Sequence, residues 1–244
     1  TDEVQKILFW SQGGTEHPRF SEALLTGLKL PRISGKVAES IVEDIDSAYK
    51  NYLTSRNLYS QAEDLLLGEL GLEGFEIEDN LSYIINLSEV KSAHRTDAEY
   101  FQPKYDKLVE KLKKHNAKLL KELVRRVKAK IRPKSEKVYK YIEISDISVG
   151  SGDMNFNEIV GKELPANARI PIKGGELLVS KVRPTRDAIA IVSNNFADNF
   201  ICSGAFSVFS AQEITREYLF VVLRSIVAKL QFEKPTTGTS YPTI

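Results

Sequence analysis

The sequence feature that most constrains the fold is a heptad repeat that runs from Ser34 to Leu67 without a proline. Apolar and small side chains alternate at spacings of three and four: Ala38, Ile41, Ile45, Ala48, Tyr52, Ser55, Tyr59, Ala62 and Leu66. A repeat held for about four heptads predicts an α-helix with a coiled-coil seam. Ser34 is a suitable N-cap, and Gly68 and Gly71 supply a stop.

A helix of this length would measure roughly 50 Å at the usual rise per residue. Its apolar stripe needs a cover, and a partner helix is the cover that a heptad pattern favours. The alternative is an ordinary amphipathic helix that folds back on its own domain. The coiled-coil interpretation is preferred because 34 residues far exceed the usual helix length of about 10 to 14.

The composition is typical of a globular protein, with 42% hydrophobic and 27% charged residues among 244. No apolar run approaches the roughly 20 residues that span a bilayer, and no basic-then-apolar leader opens the chain. The only cysteine, Cys202, cannot form an internal disulfide, and it is expected to be a small buried side chain. These features predict one or two domains in a cytoplasmic setting, with no membrane contact.

Positive charge is concentrated in one segment. Between Lys104 and Lys140, 15 lysines and arginines face 4 acidic residues, a balance of +11 against +1 for the whole chain, which leaves −10 elsewhere. Such a block is typical of a phosphate-binding surface, although a solvated helix face is the alternative. Pro103 suits a first helical turn, and the periodicity beyond it predicts a basic amphipathic helix over about residues 103–130.

The remainder of the chain, from about residue 139 to residue 244, reads as short strands separated by turns. Predicted strands are Tyr141–Ile144, Glu176–Val182, Ala188–Val192 and Phe206–Phe209, with turns at Gly150–Asp153, Lys173–Gly175 and Ser193–Asn195. A helix capped by Thr215 is expected from about Arg216 to Leu230. The fold class is therefore α+β, a mixed globular domain joined to a long helix.

No constellation for catalysis stands out. The three histidines are scattered without metal-ligand spacing, and no phosphate-cradling Gly-rich motif is present. The carboxylates of Glu143 and Asp146 lack the partners of a nuclease site, and Gly150–Gly152 reads as a turn. We therefore expect no catalytic residue, no metal site and no cofactor.

One short loop occurs twice, as Gly14-Thr15-x-His17-Pro18 and as Gly238-Thr239-x-Tyr241-Pro242. Further along the chain, an ordered series of segments resembles the target recognition domain of type I restriction–modification specificity subunits: YIEISDI, GGELLVSKVRP, ICSGAFSVF, EYLFVVLRS and TTGTSYPTI. Residues 30–72 resemble the helical spacer that follows a recognition domain in that family, and HRTDAEYFQPKYD resembles the start of the next half.

The resemblance implies a division of the chain that also explains the repeated loop. Residues 1–33 would be the tail of a first recognition domain, residues 34–71 the coiled-coil spacer and residues 76–244 a second recognition domain. It implies a non-catalytic subunit that binds double-stranded DNA, docks methyltransferase subunits and joins a restriction subunit through the complex. The spacer positions expected to dock, or to self-associate, are Ile41, Ile45, Tyr52 and Tyr59.

Candidate DNA contacts follow from residue chemistry. Lys181, Arg183, Thr185 and Arg186 end a predicted strand, where arginine is suited to guanine edges. The repeated loop offers hydroxyls and a ring at Thr237, Thr239, Ser240 and Tyr241, and the basic helix offers Lys114 and Lys118 to phosphates. Two other classes remain open: the recognition part of a fused restriction–modification enzyme, and a coiled-coil scaffold protein without a DNA role.

Overall fold

A computed structural model describes residues 5–6, 22–77, 80–196 and 199–236 of the chain. The chain divides into two compact units, residues 1–53 and 54–244. The first contains the short helix α1 (Glu22–Thr26) and the beginning of α2 (Lys36–Glu69), which crosses the boundary. Among the described residues, no helix has the length and apolarity that crossing a membrane requires.

The long helix predicted from the heptads is present, with both ends shifted by two residues. It begins at Lys36. Gly35 has a φ of +71°, which is not a helical conformation, so the prediction of Ser34 as N-cap is wrong. Its C-terminus is closed as predicted by Gly71, which has a φ of +60° and donates to the Gly68 carbonyl at 3.0 Å. Leu72 N–H reaches back to the Leu67 carbonyl at 2.8 Å, which completes a Schellman turn.

The long basic helix predicted for residues 103–130 is wrong. Helix α4 spans only Pro103–Lys113, and Asn116 then takes a left-handed conformation with a φ of +51° that ends helical propagation. One further helical turn, α5 (Leu120–Leu123), leads into strand β1 (Val124–Arg126). Helix α3 (Leu87–Ala93) and a 3₁₀ turn at Ala98–Phe101 precede α4.

In the described part of the second unit, eight strands form two four-stranded sheets. The first sheet has the order β1-β8-β5-β6 and is antiparallel throughout; its other strands are β5 (Leu177–Ser180), β6 (Ile189–Ile191) and β8 (Phe206–Ala211). The second sheet has the order β3-β2-β7-β4, in which β2 and β7 run parallel: β2 (Val138–Ile142), β3 (Asn157–Val160), β4 (Ala168–Pro171) and β7 (Phe200–Ser203).

The four strands predicted from the sequence are present with bounds that differ by at most three residues from those expected, whereas β1, β3, β4 and β7 were not predicted. The helix predicted at 216–230 is divided at Ser225 into α6 (Arg216–Arg224) and α7 (Ile226–Glu233). Thr215 caps α6 as expected, accepting a hydrogen bond from Tyr218 N–H at 3.3 Å. Ser225 separates the helices because its hydroxyl accepts from Val227 N–H and donates to the Val222 carbonyl.

Apolar side chains pack between successive layers of the second unit. The largest cluster lies between the two sheets and includes Ile142, Leu178, Cys202, Phe206 and Val208. The opposite face of the first sheet packs on α6 and α7, and these in turn pack on α4 and on Leu72 after α2. Strand β5 is buried on both faces, so both of its ends are held rigidly in this core. The α+β class is therefore confirmed.

Candidate nucleic-acid interface

An open groove of about 1050 Å³ lies along strand β1 and the strands beside it. Five basic residues line it, and we call the feature the basic groove: Lys121, Arg125, Arg126, Lys128 and Lys173. Ser207, Ser210 and Gln212 add polar groups, and Glu176 is the only carboxylate in its lining. The groove therefore combines positive charge with small polar side chains, which suits an anionic polymer.

The positive charge in the basic groove is not neutralised internally. Lys121, Arg125, Arg126 and Lys128 form no ion pair with any residue that the structure describes. Other cations of the same sequence block are paired: Lys104 with Glu233 at 3.1 Å and Lys118 with Glu213 at 3.2 Å. Carboxylates thus neutralise Lys104 and Lys118, whereas these four cations of the basic groove have no such partner among the described residues.

The conformation of β1 explains how these cations become exposed. Val124 is buried against α6, and Val127 packs in the cluster between the sheets. The strand pairs with β8 in a register that sets Arg125 opposite Ser210 and Arg126 opposite Phe209. Because the valines anchor the backbone on both sides, the two arginines are directed toward solvent at the groove.

A second, smaller basic cleft follows directly along the chain. It has a volume of about 630 Å³, and Lys130, Arg132 and Arg169 line it. Ile131 N–H donates to the Arg169 carbonyl at 2.8 Å, which ties this segment to β4. All three cations are exposed and unpaired among the described residues. Residues 121–132 therefore present unpaired positive charge at two successive clefts.

The cationic turn that the sequence singled out lies beyond the other end of β5. Arg183 and Asp187 both adopt left-handed conformations, with φ of +48° and +60°, and enclose the 3₁₀ turn Pro184–Arg186. Asp187 is held by Lys229 of α7 at 2.8 Å, and Pro184 is buried. Thr185 and Arg186 are exposed on this fixed turn, close in sequence to the partly buried Lys181.

The remaining predicted DNA contacts have different positions. Lys114 and Lys118 are exposed beyond the C-terminus of α4 and do not line the basic groove. The loop residues Thr237, Thr239, Ser240 and Tyr241 lie outside the described residues, as does the first copy of the loop. Sequence reasoning missed β1 as the carrier of the groove arginines because the lysine-rich pattern reads equally well as helix.

The four spacer positions predicted to dock partners are not equivalent. Ile41, Ile45 and Tyr52 are exposed by 49%, 65% and 50%, so their side chains are accessible for binding. Tyr59 instead packs inside the second unit, with its ring 6.0 Å from that of Phe220 and 4.7 Å from the buried guanidinium of Arg224. Tyr59 is therefore a packing residue in this chain. The coiled-coil pairing of α2 stays a prediction.

Groups that could serve catalysis have structural explanations. The Asp146 carboxylate accepts from Glu143 N–H at 2.8 Å, and both acids cap the short turn Ile144–Asp146. Cys202 is buried in β7, and this burial raises the pKa of its thiol to about 12. Among the described residues, no group of three or more His, Cys, Asp and Glu side chains is placed to hold a metal ion.

No family model and no curated protein matches the chain. Two solved structures that are similar to it concern type I restriction–modification systems. One is the crystal structure of the HsdS subunit from Thermoanaerobacter tengcongensis, at 30% identity over 50% of this chain and 33% of that chain, with a TM-score of 0.43. The other comes from work on complex assembly and conformational transition of a type I R-M system, at 27% identity, 52% and 36% coverage and a TM-score of 0.42.

This chain spans about a third of the length of the solved chains that it matches.

Proposed function

We propose that this chain is a DNA-recognition part of a type I restriction–modification specificity subunit. The observation that carries the proposal is the basic groove, in which Lys121, Arg125, Arg126 and Lys128 are left without internal ion-pair partners among the described residues. A surface that keeps several cations unpaired in one groove is ready to bind phosphates and release their counterions. Double-stranded DNA is proposed as the nucleic acid because the order of the sequence segments resembles that of a DNA-recognition domain.

Phosphate contacts alone would position the duplex without reading its sequence. In this proposal the exposed residues Thr185 and Arg186, together with Arg183 and Lys181, contribute base contacts from the turn after β5. Arginine is suited to guanine because its two nitrogens match the O6 and N7 acceptors. A turn enclosed by two left-handed residues and tied to α7 holds such a side chain in one place, as precise recognition requires.

The same proposal assigns no reaction to the chain. Methyl transfer and cleavage would belong to methyltransferase and restriction subunits, and α2 would dock the former through Ile41 and Ile45. A fused enzyme that carries catalysis on another segment is the second candidate. A methyltransferase motif in the full-length gene would favour that candidate, and a second spacer helix beyond Ile244 would favour the specificity subunit.

The phosphate role is tested by removing two groove charges, with Arg125→Gln and Arg126→Gln combined. Affinity for duplex DNA of random sequence should fall, and the slope of log affinity against log salt should decrease by about one unit for each lost contact. Titration at several salt concentrations measures both quantities. The matched control is Lys114→Gln with Lys118→Gln, which removes two charges outside the groove and should have a much smaller effect.

The outcome that contradicts the proposal is equal weakening by the two pairs of substitutions. In that case the protein binds DNA only through its general positive charge. A chain that binds no duplex at any salt concentration would instead support the scaffold alternative, in which the helix serves assembly without DNA.

A further inference from the structure

Glu176 is out of place in the basic groove. It is the only carboxylate among the lining residues, and a negative charge there opposes the binding of phosphates. A simple explanation would be that it neutralises a neighbouring cation. However, no described lysine or arginine lies within ion-pair distance of Glu176. Partial burial raises the pKa of its carboxyl, and the hydrogen bond and charge of Lys173 offset only part of that effect.

The carboxylate is anchored through only one of its two oxygens. Oε2 accepts a hydrogen bond from Lys173 N–H at 2.7 Å, whereas Oε1 accepts none from the residues that the structure describes. The backbone is fixed on both sides, since Glu176 N–H donates to the Lys173 carbonyl and the Glu176 carbonyl accepts from Val192 N–H at 2.8 Å. The side chain thus holds one free acceptor in a constant position.

The turn that leads to Glu176 is tightly packed. Gly175 has a φ of +84°, and a Cβ there would lie 2.6 Å from Nη1 of Arg216. A Cβ on Gly174 would lie 2.8 Å from the Asn194 Cα. Such close approach leaves the turn little freedom, so Glu176 is preorganised at the start of the buried strand β5.

We infer that Glu176 is a specificity-determining residue that accepts a hydrogen bond from the exocyclic amino group of a base. The inference rests on the proposed DNA-binding function. Of the groups that a duplex exposes in its major groove, only the amino groups of adenine and cytosine are donors, and carboxylates characteristically accept from cytosine N4. A carboxylate among phosphate-binding cations repels phosphates and so lowers the affinity for every sequence. A hydrogen bond from the amino group offsets this loss only where the correct base is present.

The test compares the unaltered chain with Glu176→Gln on two duplexes. One is selected by the unaltered chain from a randomised pool, and the other has random sequence. The ratio of the two affinities should fall about 5- to 150-fold in the variant, the range for loss of one good base contact. Affinity for the random duplex should stay equal or rise, because the substitution removes repulsion of phosphates. Glu158→Gln is the matched control: it removes an exposed carboxylate of the second sheet, paired with Lys140 at 4.0 Å.

A second measurement identifies the base, and its first step uses the unaltered chain alone. Adenines of the selected duplex are replaced one at a time by purine, which lacks the 6-amino group, and cytosines by 2-pyrimidinone, which lacks the 4-amino group. At one position the analogue should weaken binding by the unaltered chain and leave binding by Glu176→Gln unchanged. The type of that base separates adenine from cytosine.

The inference is overturned if Glu176→Gln lowers both affinities equally, or if no amino-group deletion weakens binding by the unaltered chain. These results differ from a failure of the proposed function. In that case Arg125→Gln with Arg126→Gln would bind random DNA as well as the unaltered chain. If the arginine substitutions weaken binding and Glu176→Gln leaves the ratio unchanged, only the assignment of Glu176 fails.

Discussion

Single residues of this chain owe their roles to the space around them more than to their type. Gly152 and Gly74 illustrate the difference, because both have a positive φ, of +78° and +64°. A Cβ on Gly74 would meet no atom within 4 Å, whereas a Cβ on Gly152 would lie 2.7 Å from the Phe220 ring and 2.9 Å from the Ile189 carbonyl. The sequence predicts a turn at Gly152 but does not show how closely Phe220 and Ile189 approach it.

Gly152→Ala should therefore destabilise the protein more than Gly74→Ala. Both substitutions incur the left-handed strain of roughly 1–2 kcal/mol, and Gly152→Ala adds an overpacking cost of about 1–3 kcal/mol. Urea unfolding followed by circular dichroism measures the two midpoints. Equal midpoints would show that Phe220 moves aside at no cost.

How far the sequence predicts this protein is seen in particular residues. The heptads locate α2, and the glycine turns bound the strands, because these signals are local. The helix beyond Lys113 was wrongly predicted, since lysine, leucine and glutamate favour helices and only pairing with β8 makes Val124–Arg126 a strand. The sequence does not single out Glu176 as a candidate DNA contact either. Its position among cations becomes visible only when the fold brings the residues of the basic groove together.

The long helix α2 has an apolar stripe that the described residues leave exposed over its first half. Its stripe is exposed along the first half: Val37, Ile41, Val42, Ile45, Tyr49, Tyr52 and Leu53 are each exposed by 47–65%. Leu66, near the C-terminus, is buried at 8% exposure, and Leu67 packs with Leu72. Within one helix, therefore, the end is fixed to its own domain and the exposed half is suited to a partner.

Ile41→Asp combined with Ile45→Asp should leave the stability of the chain within about 0.5 kcal/mol, because both side chains are exposed. The same pair should abolish co-elution with methyltransferase subunits on a sizing column. Ser40→Asp with Ser47→Asp is the matched control, since it adds the same charge to exposed positions on another face of α2. If the two double variants co-elute equally well, the stripe has no docking role.

At the scale of the whole molecule, the buried apolar side chains of the described residues lie in the second unit. Every buried apolar side chain that the structure describes lies between Leu66 and Leu230. The boundary between the units falls at Leu53, inside α2 and before the first of these side chains. Among the described residues, the apolar burial that contributes to folding energy thus lies in residues 54–244.

A fragment of residues 54–244 should fold by itself and unfold at the same urea concentration as the chain. Its free energy of unfolding should differ from that of the chain by no more than about 0.5 kcal/mol. Its dependence on urea should be nearly unchanged, because that slope follows the surface exposed on unfolding. Equilibrium unfolding of both proteins under one set of conditions provides the comparison. A lower midpoint or a less cooperative transition for the fragment would show that residues 1–53 contribute to the core.

The pairing of β1 with β8 means that β1 stays unpaired for part of the time in which the chain is synthesised. The backbone groups of Val124–Arg126 that pair with β8 find their partners only after Phe206–Ala211, about 80 residues later, has been synthesised. At a translation rate of about 5–20 residues per second, this delay is roughly 4–16 s. A bare strand with valines at 124 and 127 would invite aggregation during that interval, and the charges of Arg125 and Arg126 oppose it. We therefore expect the arginines that we assign to phosphate binding to reduce aggregation of the nascent chain as well.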